Sequence, residues 1–187
     1  MLLAMLRSIA LLIALSAPAA VPAQDAAKLD RPGMTALMRH ALAPGTGDPA
    51  GFRLEDCGTQ RGLDDRGRDQ ARRTGAALRA AGVVFDAIWT SQWCRARDTA
   101  TLLGLGPVTE VRALNSHFAG RGDRAAQTAE VRKMLAALAP DARVLLVSHQ
   151  VNIRALTGRG TRSGEVLAAT RDANGVLTVT GSFTVAP

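Results

Sequence analysis

Apolar residues fall along this chain in blocks whose period alternates between that of a strand and that of a helix. Met34-Thr35-Ala36-Leu37-Met38 is a short apolar run that stops at Arg39 and predicts a buried strand. Residues 83–90, centred on Ala87-Ile88-Trp89, predict a second strand, and 108–111 a third. Within 143–148, Val144-Leu145-Leu146-Val147 is unbroken, the pattern of a central parallel strand covered on both faces. Between these runs, Ala71, Gly75 and Leu78 recur at i, i+4 and i+7. They predict a helix over 65–81, capped by Asp64 and ended by Gly82. Residues 93–103 predict a second helix, closed by Gly104. A third spans 123–138, with Val131, Met134, Leu135 and Leu138 on one face and Pro140 as its stop. A short fourth covers 150–157 and ends at Gly158. Two last strands, 166–170 and 176–180, are joined through Asn174-Gly175, which favours a tight hairpin.

Strands alternating with helices predict a three-layer α/β sandwich with a mainly parallel central sheet. Ligands of such sheets lie beyond the carboxyl ends of the strands. The residues at those ends are Arg39-His40, Thr90-Ser91 and Ser148-His149, with Arg95 one helical turn further on. Arg97 lies about 200° away from Arg95 around the same helix and is predicted to face elsewhere.

Composition narrows the setting. The 187 residues are 47% hydrophobic and 21% charged, enough for one domain with a real core. Aromatics are 3% with no Tyr, so packing rests on Ala, Leu and Val. The net charge of +7 comes mostly from scattered Arg. With no aromatic-interleaved basic stripe, it argues against a nucleic-acid partner and for an anionic small substrate. Residues 1–23 have the pattern of a secretory signal peptide: one Arg, an apolar stretch too short to span a membrane, then Val21-Pro22-Ala23 before a cut at Gln24. The expectation is a domain over 24–187 in the periplasm or outside the cell, without stable membrane insertion once the signal is removed. In an oxidising compartment Cys57 and Cys94 can pair; the other reading is two buried free thiols. The sequence leaves the oligomeric state open.

Phosphoryl transfer needs cations around three oxygens and a nucleophile in line with the leaving group. Arg binds oxygens in pairs through its planar fork, and a neutral imidazole can attack phosphorus. A second imidazole can stabilise the developing charge. Arg39, His40, Arg95 and His149 supply this set, and the chemistry calls for no metal or cofactor.

Leu37-Met38-Arg39-His40-Ala41 resembles the Arg-His-Gly signature of the histidine phosphatase superfamily. Ser91 through Ala100 resembles its second block, and Val147-Ser148-His149-Gln150 its third. Gly62-Leu63 to Gly67, with Gln70-Ala71, is similar to the start of the family's first helix. The resemblance implies a phosphoglycerate mutase-like fold and hydrolysis of phosphomonoesters through a phosphohistidine. It implies His40 as acceptor and Arg39, Arg95 and His149 as the phosphate pocket, with Gln150 and Asn152 as further candidates for substrate contact. Cys57-Gly58-Thr59-Gln60-Arg61 and the stretch Asn152 to Gly158 resemble exported lipopolysaccharide core heptose phosphatases, which implies a phosphorylated small molecule or glycan as substrate.

Two positions depart from the family pattern. Ala41 stands where Gly is usual, which would strain a backbone that needed positive φ. Beyond the third strand, Leu114 is followed by Asn115-Ser116 rather than by the acid that protonates the leaving oxygen. Asp48, Glu55, Asp56, Glu110 and Asp123 are near in sequence, but none is assigned that role. The missing acid raises a second reading, a phosphohistidine or acyl-phosphate phosphatase. A third is a non-catalytic phosphoglycan-binding protein. Ser91 and Ser148 are read as helix caps, His117 as structural or rim, and Trp89 and Trp93 as packing.

Overall fold

The computed structural model describes residues 26–187; the signal peptide read over 1–23 lies outside the described residues. Six strands form one sheet: β1 (Met34–Arg39), β2 (Ala87–Thr90), β3 (Val108–Glu110), β4 (Val144–Ser148), β5 (Glu165–Arg171) and β6 (Leu177–Thr184). Their order is β3-β2-β4-β1-β5-β6. The first four run parallel, and β5 and β6 add an antiparallel hairpin at the edge beside β1. The helices are α1 (Asp65–Ala80), α2 (Cys94–Leu103), α3 (Arg124–Ala136) and α4 (Gln150–Thr157).

The alternation of side chains along the strands sends them into two separate cores. Ala36, Met38, Leu145 and Val147 pack with Leu78 of α1 and Ala96, Ala100 and Leu103 of α2. Leu37, Val144, Leu146 and Leu167 face the other way, onto Val131 and Leu135 of α3 and Ile153 and Leu156 of α4. The result is the expected three-layer sandwich with β4 and β1 buried at its centre.

Caps match the sequence reading. Asp64 accepts from Gly67 N, and Gly104 and Gly158 end α2 and α4 in the left-handed conformation; Asp123, read as the first residue of its helix, is instead the cap ahead of it and accepts from Ala125 and Ala126 N. Several boundaries differ, and the last strand runs on to Thr184 instead of stopping at 180. The second strand begins at Ala87, not at 83, because Val83 N closes the end of α1 on Leu78 O and only Asp86 reaches the β4 side, at Arg143 O. The third helix stops at Ala136. The last hairpin is wider than a two-residue turn: Asp172 Oδ1 accepts from Asn174 N and Val176 N, and Gly175 takes φ 72°.

Register decides where the site forms. Arg39 pairs with Ser148 and Thr90 with Val147, so His40, Ser91 and His149 leave three neighbouring strands at nearly one level. His40 N donates to Ser148 O at 2.9 Å, and Ser91 N to Val147 O at 3.1 Å.

Candidate active site

A cavity of about 150 Å³ opens at these strand ends, lined by Arg39, His40, Arg61, Arg95, His149 and Gln150 among others. His40 and His149 are buried, with ring centres 5.5 Å apart in an edge-on arrangement. His40 Nδ1 lies 2.8 Å from the Ala41 carbonyl oxygen. A carbonyl only accepts, so Nδ1 carries the proton and Nε2 keeps a free lone pair. Burial holds His40 well below the ordinary histidine pKa, and Arg95, Arg39 and Arg61 push the same way against the Ala41 bond. The imidazole is therefore neutral, as a nucleophile must be.

His149 is also held well below its ordinary pKa, by burial and then by His40 and the three arginines. Its Nε2 is 2.9 Å from Ser91 Oγ, which leaves Nδ1 for a ligand. The Ser91 hydroxyl can give its proton to that Nε2 or to Asn115 Oδ1, 3.2 Å away. When it bonds Nε2, His149 carries its own proton on Nδ1 and becomes a donor. Ser91 is thus more than a cap. It accepts from Trp93 N, but the first residue ahead of α2 is Trp93 itself, and the first ahead of α4 is His149. Ser148 caps nothing either; its hydroxyl donates to Leu114 O.

Arg95 is fixed by a residue with no assigned role in the sequence reading. Asp48 takes Arg95 NH1 on Oδ1 at 2.6 Å and NH2 on Oδ2 at 3.2 Å, with both side chains buried. Trp93 Nε1 and Arg61 N add two more donors to the same carboxylate. Burial alone would raise the Asp48 carboxyl, but the Arg95 and Trp93 bonds outweigh it and hold it below its ordinary range. It stays ionised and is no proton donor. Arg61 lines the cavity as a third cation, its Nε on Gly47 O and its NH1 on Ala43 O. The Nε atoms of Arg39 and Arg95 are buried without a partner. Three guanidiniums against one carboxylate, with both imidazoles neutral, leave an excess of two positive charges, which matches a phosphoryl dianion.

The remaining candidates separate. Gln150 lines the cavity and sits 3.4 Å from Arg39 NH1. Asn152 does not; it is buried beneath, donating to the Asn115 carbonyl at 2.8 Å. Arg97 points away, to Glu110 and to the sulfurs of Cys57 and Cys94. Those two cysteines form a disulfide with Cα atoms 5.7 Å apart. Ala41 does not take positive φ, and its methyl is buried among Ala43, Leu63 and Ala71, so no strain arises from the missing Gly. The motif residues of α1 serve the same loop. Gln70 accepts from Leu42 N, and a Cβ at Gly67 would lie 1.9 Å from Leu42 O.

No carboxylate lines the cavity among the described residues. Glu110 pairs with Arg97, Asp123 caps α3, and Asp56 pairs with Arg53.

A family model described as histidine phosphatase superfamily (branch 1) matches residues 36–121, which include Arg39, His40 and Arg95. Residues 36–121 thus carry the pattern of that superfamily. Solved structures agree on the fold. The protein histidine phosphatase SixA complexed with tungstate has a TM-score of 0.59 at 19% identity, covering 81% of this chain and 96% of that one. A phosphoserine phosphatase from Entamoeba histolytica with 3-phosphoglyceric acid gives 0.57 at 15%, covering 81% and 96%. A mycobacterial glucosyl-3-phosphoglycerate phosphatase with inorganic phosphate gives 0.55 at 18%, covering 81% and 95%. No curated protein matches the chain in sequence.

Proposed function

We propose that this protein is a phosphohydrolase of the cell envelope in which His40 accepts the phosphoryl group of an anionic, sugar- or glycan-linked phosphate. The observation that carries the reading is the Nδ1–H bond from His40 to the Ala41 carbonyl inside a cavity of arginines. It leaves Nε2 as a neutral nucleophile facing a site built for a dianion.

Arg39, Arg61 and Arg95 seat the phosphoryl oxygens. His40 Nε2 forms a bond to phosphorus as the bond to the leaving oxygen breaks, and that oxygen keeps the electron pair. His149 donates from Nδ1 to the phosphoryl group in flight. Water then attacks phosphorus, phosphate leaves, and Nε2 regains its lone pair. The sum is one ester and one water consumed, with one alcohol and one phosphate formed. The disulfide and the lack of any helix among the described residues long and apolar enough to cross a membrane fit an extracytoplasmic location. The decisive experiment traps an acid-labile phospho-adduct during turnover. Its absence from the wild-type protein, or its persistence in His40→Ala, defeats the reading.

The lack of a carboxylate in the cavity favours a second reading, hydrolysis of phosphohistidine or acyl phosphates, whose leaving groups need little protonation. A protein histidine phosphatase stands among the structural neighbours. Rates on an alkyl and an aryl phosphate separate the two: equal rates mean that protonation of the leaving oxygen is not limiting and favour the ester reading.

A further inference from the structure

The cavity around His40 divides into a charged floor and an uncharged edge. The floor holds Arg39, Arg61, Arg95 and the two imidazoles, and a phosphoryl dianion matches its excess of two positive charges. The edge is formed by Thr46 and Gly47 of the loop, Ser116 and Phe118 beyond β3, and Gln150 and Val151 of α4, none of them charged. Arg121, three residues after Phe118, does not line the cavity; it lies over the Phe52 ring, 4.5 Å from its centre. At about 150 Å³ the cavity holds one phosphoryl group and little more, so the leaving group of a substrate comes to rest on the edge.

Phe118 is the largest apolar group on that edge. It is 46% exposed, and of the large hydrophobic residues left open among the described residues it alone lines the cavity. Its ring leans over Gly47, where a Cβ would lie 3.8 Å from Cε1, so it reaches from the segment after β3 to the loop. The turn that presents it is strained. Ala119 takes φ 55° and ψ 37°, and no other non-glycine residue among those described has positive φ. Ala119 is exposed, so packing of its own methyl does not account for the bend. Backbone strain of this kind gathers at ligand sites. Polar groups flank the ring. The Thr46 hydroxyl and Gln150 Nε2 have no partner among the described residues, while Gln150 Oε1 faces Arg39 NH1 at 3.4 Å. Ser116 Oγ accepts from Phe118 N at 3.3 Å and keeps its own proton to donate.

We propose that Phe118 is a specificity-determining residue, the platform for an uncharged, hydroxyl-bearing ring, such as a pyranose, on the leaving side of the phosphate. The C–H face of such a ring is apolar and slightly positive, and the face of a phenyl ring is negative, so the two stack. The hydroxyls around the sugar then meet Thr46, Ser116 and Gln150. The proposal rests on the phosphatase reading above and narrows it: a second charge on the leaving group finds no partner at this edge.

The test measures inhibition of p-nitrophenyl phosphate turnover by inorganic phosphate, glucose 6-phosphate, glucitol 6-phosphate and 6-phosphogluconate, on the purified protein. Glucose 6-phosphate and glucitol 6-phosphate are both esters of a primary alcohol and nearly equal in size, but only the first has a ring. The wild type is expected to bind glucose 6-phosphate about fivefold more tightly than glucitol 6-phosphate, the effect of one ring stacked on an aromatic face, and 6-phosphogluconate no more tightly than glucitol 6-phosphate. Phe118→Ala, at an exposed position, should remove the preference for the ring and leave inorganic phosphate within about twofold. Phe118→Tyr, which keeps the aromatic face, should retain it. No preference in the wild type, a preference that survives in Phe118→Ala, or one lost in Phe118→Tyr overturns the proposal. An equal weakening of inorganic phosphate in Phe118→Ala also overturns it, since Phe118 would then belong to the phosphoryl pocket. So does tighter binding of 6-phosphogluconate than of glucose 6-phosphate. A wild type that does not turn over p-nitrophenyl phosphate, or turnover that persists in His40→Ala, sinks the parent reading and the proposal with it, before any sugar is compared.

Discussion

The cavity has two halves built in different ways. One consists of the strand ends, with Arg39, His40, Ser91 and His149 placed by a register of backbone hydrogen bonds. The other is the loop over 43–62, which brings Asp48 and Arg61 to the same space without a strand or α-helix of its own. Sheet register holds the first half, since moving His40 would mean breaking β1 away from β4. Side chains hold the second: the Asp48–Arg95 pair, Gln60 accepting from Cys94 N and donating to Arg53 O and Leu54 O, and the Cys57–Cys94 disulfide. A rigid scaffold can therefore carry the proposed nucleophile while a loop, tied at a few points, completes the charge around it.

Substitutions can break this contrast. The largest effect is expected at the strand ends: His40→Ala should lower kcat by about 10³-fold or more with little change in melting temperature, since the register does not depend on the side chain. A large drop in melting temperature would show that the two halves are not held as described. Next comes Asp48→Ala, which leaves the buried Arg95 cation unpaired and should lower stability by about 3–5 kcal/mol in denaturant titrations, along with activity. Asp48→Asn, which keeps hydrogen-bonding groups in place, should recover part of both; no recovery would mean that charge alone matters. Replacing both cysteines by Ser should reduce stability by about 2–4 kcal/mol and raise KM more than it lowers kcat, because it frees the loop and not the nucleophile. An unchanged KM would detach the loop from phosphate binding.

The smallest effect is a pH dependence of stability. His40 and His149 have folded pKa values depressed by burial. Below the ordinary histidine range the unfolded chain takes up protons that the folded chain refuses. Stability should thus fall as pH drops through that range, and the fall should cease only at the lower folded values. Urea titrations across this window should show a shallower decline in His40→Asn. An identical slope in that variant would mean that His40 does not stay neutral.

The same division governs what could be read from the sequence. Strand ends were legible because an apolar run that stops at a polar pair marks both an element and its exit; Met38 to His40 and Val147 to His149 are such places. The disulfide was legible as one of two possibilities. Asp48 and Arg61 were not, because nothing periodic in 43–62 says which way a loop residue turns. Arg61 was seen only as part of a resemblance, and Asp48 only as a possible acid. The reading of Ser91 as a cap failed for a related reason: a hydroxyl near a helix start looks the same in sequence whether it bonds the backbone or an imidazole 58 positions away. Asn152, one turn into α4, was placed with the ligand, yet the helix carries it under Asn115.

The bond between the His40 ring and the carbonyl of residue 41 has a consequence for how such a site can vary. The group that selects the reactive tautomer belongs to the main chain, so no substitution at position 41 can delete it. What natural variation can change there is bulk, within the small space bounded by Ala43, Leu63 and Ala71. An atom that sets the tautomer of a buried imidazole can therefore sit at a position whose side chain is free to drift between the smallest residues, and a tally of side-chain identities would miss it.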